Sequence, residues 1–128
     1  MRILLDTNVA LAVGNGSEPP EVAEFVENEE NDCFLSVVVL WEIAIKRSIG
    51  KLDIGMGLEE FASGFISQGY SVLNVQPKHI YALDMLPVVH RDPFDRLLVA
   101  QAQREDMMLI TTDELLAEYG PLVKYIKK

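Results

Sequence analysis

Short apolar runs alternate along this chain with longer segments whose apolar residues recur every three or four positions. The short runs are rich in Ile, Leu and Val and end at polar or turn residues, which is typical of strands buried on both faces. They lie at residues 2–6, 33–36, 70–75, 107–111 and 122–126. The pattern therefore predicts five strands.

The segments between these runs have the spacing and the end signals of helices. They lie at residues 7–14, 21–29, 37–50, 58–68, 77–86, 93–102 and 113–119. Thr7 or Asn8 can cap the first helix, Ser36 can cap the third, and Pro20 suits a first helical position. Because strands alternate with helices, we expect an α/β fold with a mostly parallel sheet that is covered on both faces.

The amino-acid composition indicates which class of protein this is. The chain has 128 residues, of which 49% are apolar and 24% charged, as in an ordinary globular protein, and we expect one domain over residues 1–128. No apolar run approaches the ~18 residues of a membrane span. The stretch MRILLD reaches Asp6 too early for a secretory signal, and the single Cys33 excludes an internal disulfide. A cytoplasmic protein that does not enter a membrane is expected.

The net charge of −9 argues against a nucleic-acid coat that relies on a basic surface. No basic residue lies between Arg2 and Lys46, and the acidic residues from 18 to 32 are those of a solvated helix face. The basic residues collect elsewhere, and Lys46, Arg91 and Arg96 fall near candidate site residues. Net charge is therefore compatible with a local basic rim around an acidic pocket.

Four acidic residues fall where ligands bind in open parallel sheets, beyond the carboxyl ends of the strands. Asp6 ends the first strand and Asp113 follows the fourth. Asp95 lies in the first turn of a helix that begins at the same edge, and Glu42 lies about two turns into the helix after the second strand. Asp6 and Asp113 can equally be helix caps.

Glu42 stands among apolar neighbours in the stretch LWEIAIK, residues 40–46. A buried glutamate is costly unless it is paired or coordinates a cation. Lys46, four residues on, is placed in the favourable order for an ion pair. This stretch alone leaves the ion pair and a metal site equally open.

The stretch HRDPFD, residues 90–95, places two aspartates around a proline. Asp92 suits a helix cap and Pro93 a first helical position. Asp95 can complete a capping-box-like start. It can also project toward the edge of the sheet, where the helix dipole would keep it ionised.

The four acids considered together favour a metal site. Carboxylates from separate elements repel one another when they converge, and a divalent cation relieves that repulsion. Oxygen ligands indicate Mg²⁺ or Mn²⁺, whereas His79, His90 and Cys33 offer no plausible zinc set. The usual chemistry of a carboxylate-bound Mg²⁺ pair is displacement at a phosphodiester.

The chain resembles the PIN-domain family and, within it, the VapC-type ribonuclease toxins of bacterial toxin–antitoxin pairs. The resemblance lies in the stretches LLDTNVAL, SVVVLWEIAIKRSIGKL, LPVVHRDPFDRLLVAQA and LITTDELLAEYG, which follow the family's order and spacing from residue 3 to about 120. It implies a Rossmann-like α/β/α sandwich. It also implies an endoribonuclease that depends on Mg²⁺ or Mn²⁺ and inhibits growth.

The resemblance also assigns roles to individual residues. It implies a metal-binding and catalytic quartet and a polar surrounding that includes Asn8 and Thr112. The quartet is Asp6, Glu42, Asp95 and Asp113. The family's context further implies a homodimer and a small antitoxin partner that covers the acidic pocket. For the RNA substrate, candidate phosphate contacts are Lys46, Lys51, Arg91 and Arg96.

Two other functions remain open. A phosphatase with Asp6 as a covalent nucleophile would carry an acid two residues on, where this chain has Asn8. A non-catalytic interaction domain could keep the PIN fold, although the intact quartet argues against it.

Overall fold

The computed structural model describes all of residues 1–128. Its helices and strands follow one another along the chain and are separated by short loops. They are β1 (Arg2–Leu5), α1 (Thr7–Asn15), α2 (Pro20–Glu27), β2 (Asp32–Ser36), α3 (Val37–Ser48), α4 (Leu58–Ser67), β3 (Ser71–Leu73), α5 (Pro77–Met85), α6 (Pro93–Glu105), β4 (Met108–Thr111), a 3₁₀ helix (Glu114–Tyr119) and β5 (Val123–Tyr125). The predicted α/β fold is confirmed.

All five strands are parallel and stand in the order β3-β2-β1-β4-β5. The chain first winds from β1 toward β3 and then crosses back over β1 to β4 and β5. Because crossovers between parallel strands are right-handed, this reversal puts helices on both faces of the sheet. It also opens a crevice at the carboxyl ends of β1 and β4, where the direction changes.

The sheet is the centre of the hydrophobic core. Ile3, Leu4 and Leu5 of β1 are fully buried, as are Leu109 and Ile110 of β4. A strand flanked by two others and covered on both faces has no polar side to show to solvent. None of the helices has both the length and the apolar character that a membrane span would need.

Most helix starts lie where the end signals predicted them. Ser36 Oγ accepts the Val38 N–H at 3.0 Å and so caps α3. The cap of α1, however, is neither Thr7 nor Asn8. Asp6 Oδ1 accepts the Val9 N–H at 2.9 Å, so the helix begins one residue earlier than a Thr7 cap would place it.

The start of α6 also differs in part from its prediction. Asp92 Oδ1 caps the helix by accepting the N–H groups of Phe94 at 2.8 Å and Asp95 at 3.2 Å, as expected. The predicted capping box, in which Asp95 would accept the Asp92 N–H, does not form. The Asp92 N–H points to His90 Nδ1 at 3.1 Å, so the Asp95 carboxylate is not used to close the first turn.

His79 has a structural role. It is fully buried, its Nδ1 accepts the Gln76 N–H at 3.0 Å, and its Nε2 lies 2.8 Å from Glu105 Oε2. The ring thus ties the start of α5 to the end of α6. This contact supports the placement of α6, whose opposite end carries Asp95.

Candidate functional site

Asp6 lies between β1 and β4, at the crevice where the sheet reverses direction. It is 3% exposed. Its backbone N–H continues the β1–β4 ladder to the Ile110 carbonyl at 3.1 Å, which brings Thr111 alongside. The Thr111 hydroxyl donates a hydrogen bond to Asp6 Oδ2, while Oδ1 is held by the α1 backbone at Val9. The carboxylate is therefore fixed in place by two donors.

Burial raises the pKa of Asp6 to about 6, with smaller increases from the nearby charges of Glu42 and Asp113. The hydrogen bonds from Thr111 and Val9 oppose this increase but do not cancel it. The Asp6 carboxylate, held between β1, β4 and α1, is therefore costly to ionise without a cation.

Glu42 projects from α3 into the same crevice and is only 4% exposed. The Thr7 hydroxyl donates to its Oε1 at 2.6 Å, and the Lys46 ammonium donates to its Oε2 at 2.6 Å. The ion pair with Lys46 that the sequence left open is therefore present. Each carboxylate oxygen still has a second lone pair, so the pair does not prevent a contact with a cation.

Asp95 is the acid of the four with the fewest partners. Its side chain is 19% exposed, and its Oδ2 lies 3.5 Å from His90 Nε2. Burial is the main reason why its pKa rises to about 7, and the charges of Asp92, Asp6 and Glu42 raise it further. Only His90 opposes the increase. This carboxylate faces the cluster without a hydrogen-bond donor to stabilise its charge.

Asp113 follows β4 and is the most open of the four acids, with 38% of its side chain exposed. Its Oδ1 accepts the Leu115 N–H at 3.1 Å and caps the 3₁₀ helix. Its backbone N–H donates to the Thr111 hydroxyl at 2.9 Å, and its Oδ2 lies 2.8 Å from His90 Nε2. Asp113 is thus both a cap and a member of the acidic cluster.

His90 is the residue that the sequence did not single out. It lies in the loop between α5 and α6, and it was considered only as a poor zinc ligand. In the structure His90, Asp95 and Asp113 each place one potential ligand atom within 4.8 Å of the others. Its position two residues before the Asp92 cap was the available signal, because a side chain there can reach the start of α6.

The other expected contacts are distributed differently. Asn8 and Thr112 make no hydrogen bond to the acids, whereas the neighbouring Thr7 and Thr111 do. The sequence cannot tell Thr7 from Asn8 here, since the rotation of α1 decides which side chain faces Glu42.

Three of the four candidate basic residues, Lys46, Arg91 and Arg96, occupy different positions, and the fourth, Lys51, is exposed. Lys46 lies at the cluster, where its pKa is raised chiefly by the hydrogen bond to Glu42 and further by Asp92 and Asp95. Arg96 donates to the Leu86 carbonyl at 3.4 Å, and its buried Nε has no hydrogen-bond partner. Arg91 is exposed and forms neither a salt bridge nor a side-chain hydrogen bond. Of the three, only Lys46 contacts an acid of the quartet.

A groove of about 840 Å³ lies elsewhere, at the amino ends of the strands beside Asp32 and Cys33. None of the four acids lines it. The chemistry therefore points to the crevice at the carboxyl ends, where two carboxylates have raised pKa values.

The donor set at this crevice suits Mg²⁺ or Mn²⁺. It consists of carboxylate oxygens, which hard divalent cations prefer, and Asp95 has no competing hydrogen bond. Burial is the main reason why the pKa values of Asp6 and Asp95 are raised, and neighbouring carboxylates raise them further. A cation of charge two at this place would balance the charge of both carboxylates.

Comparisons with known proteins agree with the fold. Comparison with curated proteins finds no significant match to the sequence. Solved structures similar to this chain include VapBC2 from Rickettsia felis, determined with a DNA fragment from their promoter, at a TM-score of 0.72 and 18% identity over 100% of this chain and 99% of that chain. A toxin–antitoxin complex from Klebsiella pneumoniae matches with a TM-score of 0.66 and 18% identity, covering 95% of each chain.

A third similar structure is VapC20 from Mycobacterium tuberculosis, described as a toxin that cleaves the sarcin–ricin loop. It has a TM-score of 0.63 and 16% identity over 92% of this chain and 95% of that chain. At such identities these likenesses establish a shared fold. The sequence profile of the PIN domain, in contrast, matches residues 3–121, a span that includes all four acids of the crevice. The chain therefore belongs to the PIN-domain family.

Proposed function

We propose that this protein is a VapC-type endoribonuclease that hydrolyses RNA phosphodiester bonds with Mg²⁺ or Mn²⁺. The observation that carries the proposal is that the charges of the four acids act on one another: Glu42 and Asp113 raise the pKa of Asp6, and Asp6 and Glu42 raise that of Asp95. Asp95 and Asp113 also place ligand atoms within 4.8 Å of each other, together with His90. Membership of the PIN-domain family and the likeness to VapC20 support it.

In this proposal the quartet holds the cation. Asp95 and Asp113 place ligand atoms within 4.8 Å of each other, and Asp6 and Glu42 would complete the set. When bound, the cation supplies Lewis-acid charge that activates a water molecule and stabilises negative charge at the phosphodiester. We expect products with a 5′-phosphate and a 3′-hydroxyl, because water replaces the 2′-hydroxyl as nucleophile.

The side chains around the quartet fix its geometry. The hydroxyls of Thr7 and Thr111 orient Glu42 and Asp6, and neither hydroxyl can rotate freely in its buried position. Lys46 keeps one positive charge beside the acids before a substrate arrives. Arg91, which is exposed in the loop before α6, is the proposed contact for a phosphate of the RNA.

We further propose a cytoplasmic homodimer that is inhibited by a small antitoxin protein. The structures from Rickettsia felis and Klebsiella pneumoniae are those of toxin–antitoxin complexes, which supports a partner of this kind. A basic side chain of such a partner would find charge complementarity at the acidic crevice.

A non-catalytic PIN-fold interaction domain is the competing proposal. The observation in its favour is that Glu42 already has Lys46 and Thr7 as partners, and that Asp6 and Asp113 both cap helices. Each of these acids thus has a structural role without any cation. Asp95 distinguishes the two proposals, because it has no such role.

The test is cleavage of a mixed, end-labelled RNA pool by the purified protein with Mn²⁺, with Mg²⁺ and with EDTA. Asp95→Asn is the inactive variant, and Asp92→Asn is its matched control because asparagine also caps helices. We expect metal-dependent cuts with 5′-phosphates that are lost in Asp95→Asn and kept in Asp92→Asn. No cleavage together with no binding of Mn²⁺ would contradict the enzyme and leave the interaction domain.

A further inference from the structure

His90 is held from two directions at the mouth of the acidic crevice. Its backbone N–H donates to the Tyr119 hydroxyl at 3.0 Å, and that hydroxyl donates to the Pro87 carbonyl at 3.0 Å. Its side chain is only 15% exposed. The 3₁₀ helix that follows Asp113 therefore anchors the loop that carries His90, and the ring has little freedom to turn.

The hydrogen bond from Asp92 determines which ring nitrogen carries the proton. The Asp92 N–H donates to His90 Nδ1 at 3.1 Å, so Nδ1 has a free lone pair and no proton. A neutral imidazole with an acceptor at Nδ1 has its N–H at Nε2. The helix start of α6 thereby sets the tautomer of this histidine.

The Nε2–H group points at Asp113. Nε2 lies 2.8 Å from Asp113 Oδ2 and 3.5 Å from Asp95 Oδ2, and so stands between two acids of the quartet. For Nε2 to bind a cation, its proton would have to move to Nδ1. The Asp92 N–H would then lose its acceptor, at a partly buried position.

We infer that His90 is a positioning residue that donates Nε2–H to Asp113 and is not itself a ligand of the metal. This inference rests on the proposed metal-dependent function. Asp113 is the most exposed acid of the four, and besides His90 only the Leu115 N–H holds its carboxylate. The donor therefore keeps Asp113 turned toward Asp95, with ligand atoms of the two carboxylates within 4.8 Å of each other.

The inference excludes a mixed nitrogen and oxygen site, although the three side chains lie close enough together to form one. Loss of a hydrogen bond that orients a ligand lowers metal affinity by about 10–100-fold. The same order of loss is expected here when the donor is removed. All four carboxylates are still present in such a variant, but Asp113 has lost the donor that orients it.

Two substitutions of His90 test the donor at Nε2 and the acceptor at Nδ1 separately. Glutamine can place its amide N–H near the position of Nε2 and so keep the donor to Asp113. Asparagine can place its amide oxygen near the position of Nδ1 and so keep the acceptor for the Asp92 N–H, but it is too short to reach Asp113. His90→Ala removes both.

The experiment is a Mn²⁺ titration of the full-length wild type and the three variants, followed by electron paramagnetic resonance. We expect His90→Gln to bind Mn²⁺ close to the wild type, and His90→Asn and His90→Ala to bind about 10–100-fold more weakly. Pulsed spectra of the wild type should show no directly coordinated ¹⁴N. Thermal unfolding of the metal-free proteins checks that each variant is folded.

The outcomes separate the inference from the function on which it rests. A directly coordinated ¹⁴N in the wild type would overturn the positioning role while the metal-dependent function stands. The opposite order of Mn²⁺ affinities, with His90→Asn close to the wild type and His90→Gln binding weakly, would also overturn the inference. The role of His90 would then be to accept the Asp92 N–H and so to hold the loop. A wild type that binds no Mn²⁺ would overturn both.

Discussion

The hydroxyl of Thr7 donates a hydrogen bond of 2.6 Å to Glu42 Oε1, across 35 residues of sequence. Both side chains are buried, Thr7 at 3% exposure and Glu42 at 4%. The bond joins the first residue of α1 to the second turn of α3. It also fixes the carboxylate that Lys46 meets from its other side.

Thr7→Val should destabilise the metal-free protein by about 1–3 kcal/mol, because it leaves Glu42 Oε1 buried without its donor. Thr7→Ser keeps the hydroxyl and should lose much less. Urea unfolding at pH 7 measures both. Equal midpoints and slopes for the valine variant and the wild type would show that the contact contributes nothing.

Asp95→Asn should stabilise the metal-free protein at pH 8 by roughly 1–3 kcal/mol, since it removes a charge that the crevice does not balance. It should also abolish the stabilisation that Mn²⁺ gives the wild type, because only a cation that binds the folded state raises its stability. Thermal unfolding with and without Mn²⁺ measures both effects. A clear loss of stability in the metal-free variant would contradict the prediction and give Asp95 a structural role.

The stability of the metal-free wild type should fall as the pH rises from about 4 to about 7. The pKa of Asp95 is raised to about 7 and that of Asp6 to about 6, from ordinary values of 3.8, so the folded protein holds these protons longer than the unfolded chain. Their contribution is fully present below the unfolded pKa and is lost as the pH passes through the folded one. Denaturant unfolding across this range should show a smaller decline in Asp95→Asn, and identical slopes would contradict the assignment.

Lys46→Met should bind Mn²⁺ more tightly than the wild type, by roughly 2–10-fold, because the ammonium competes with the cation for the same charge. The same change should weaken RNA binding. Lys127→Met is the control, since Lys127 is an exposed lysine without a salt bridge. Weaker Mn²⁺ binding in Lys46→Met would mean that the lysine organises Glu42 for the metal instead of competing with it.

Arg91→Gln should weaken the salt dependence of RNA binding. The magnitude of the slope of log affinity against log salt should fall by about 0.7, the value for one phosphate contact on a single strand. Binding is measured in the Asp95→Asn background to prevent cleavage. Arg96→Gln is the contrasting variant, because its guanidinium is already bonded to the Leu86 carbonyl, and its slope should stay unchanged. A less steep slope for Arg96→Gln alone would mean that Arg96, and not Arg91, contacts the phosphate.

Several features of the site follow from local sequence. An apolar run that stops at a polar residue defines both a buried strand and the edge at which it ends, so Asp6 and Asp113 could be placed at one edge of the sheet. The pair Asp92–Pro93 determines where α6 begins, and with it the position of Asp95 in the first turn. Such features depend on backbone preferences and apolar periodicity over a few residues.

The contacts that hold the acids needed the tertiary structure. The register between β1 and β4 decides that Thr111 rather than Thr112 meets Asp6, and the rotation of α1 decides that Thr7 rather than Asn8 meets Glu42. His90 joins Asp113 across 23 residues only because the loop before α6 folds back onto the 3₁₀ helix.

The sequence by itself thus determined the α/β architecture, the edge at which the acids gather and the oxygen-rich chemistry of that edge. Tertiary structure alone decided which hydroxyls meet Asp6 and Glu42 and which imidazole meets Asp113. The physical reason is range. Strand and helix preferences act between neighbouring residues. A hydrogen bond between distant elements depends instead on the register of a strand and the rotation of a helix. A shift of one residue in either exchanges the side chain that faces the site.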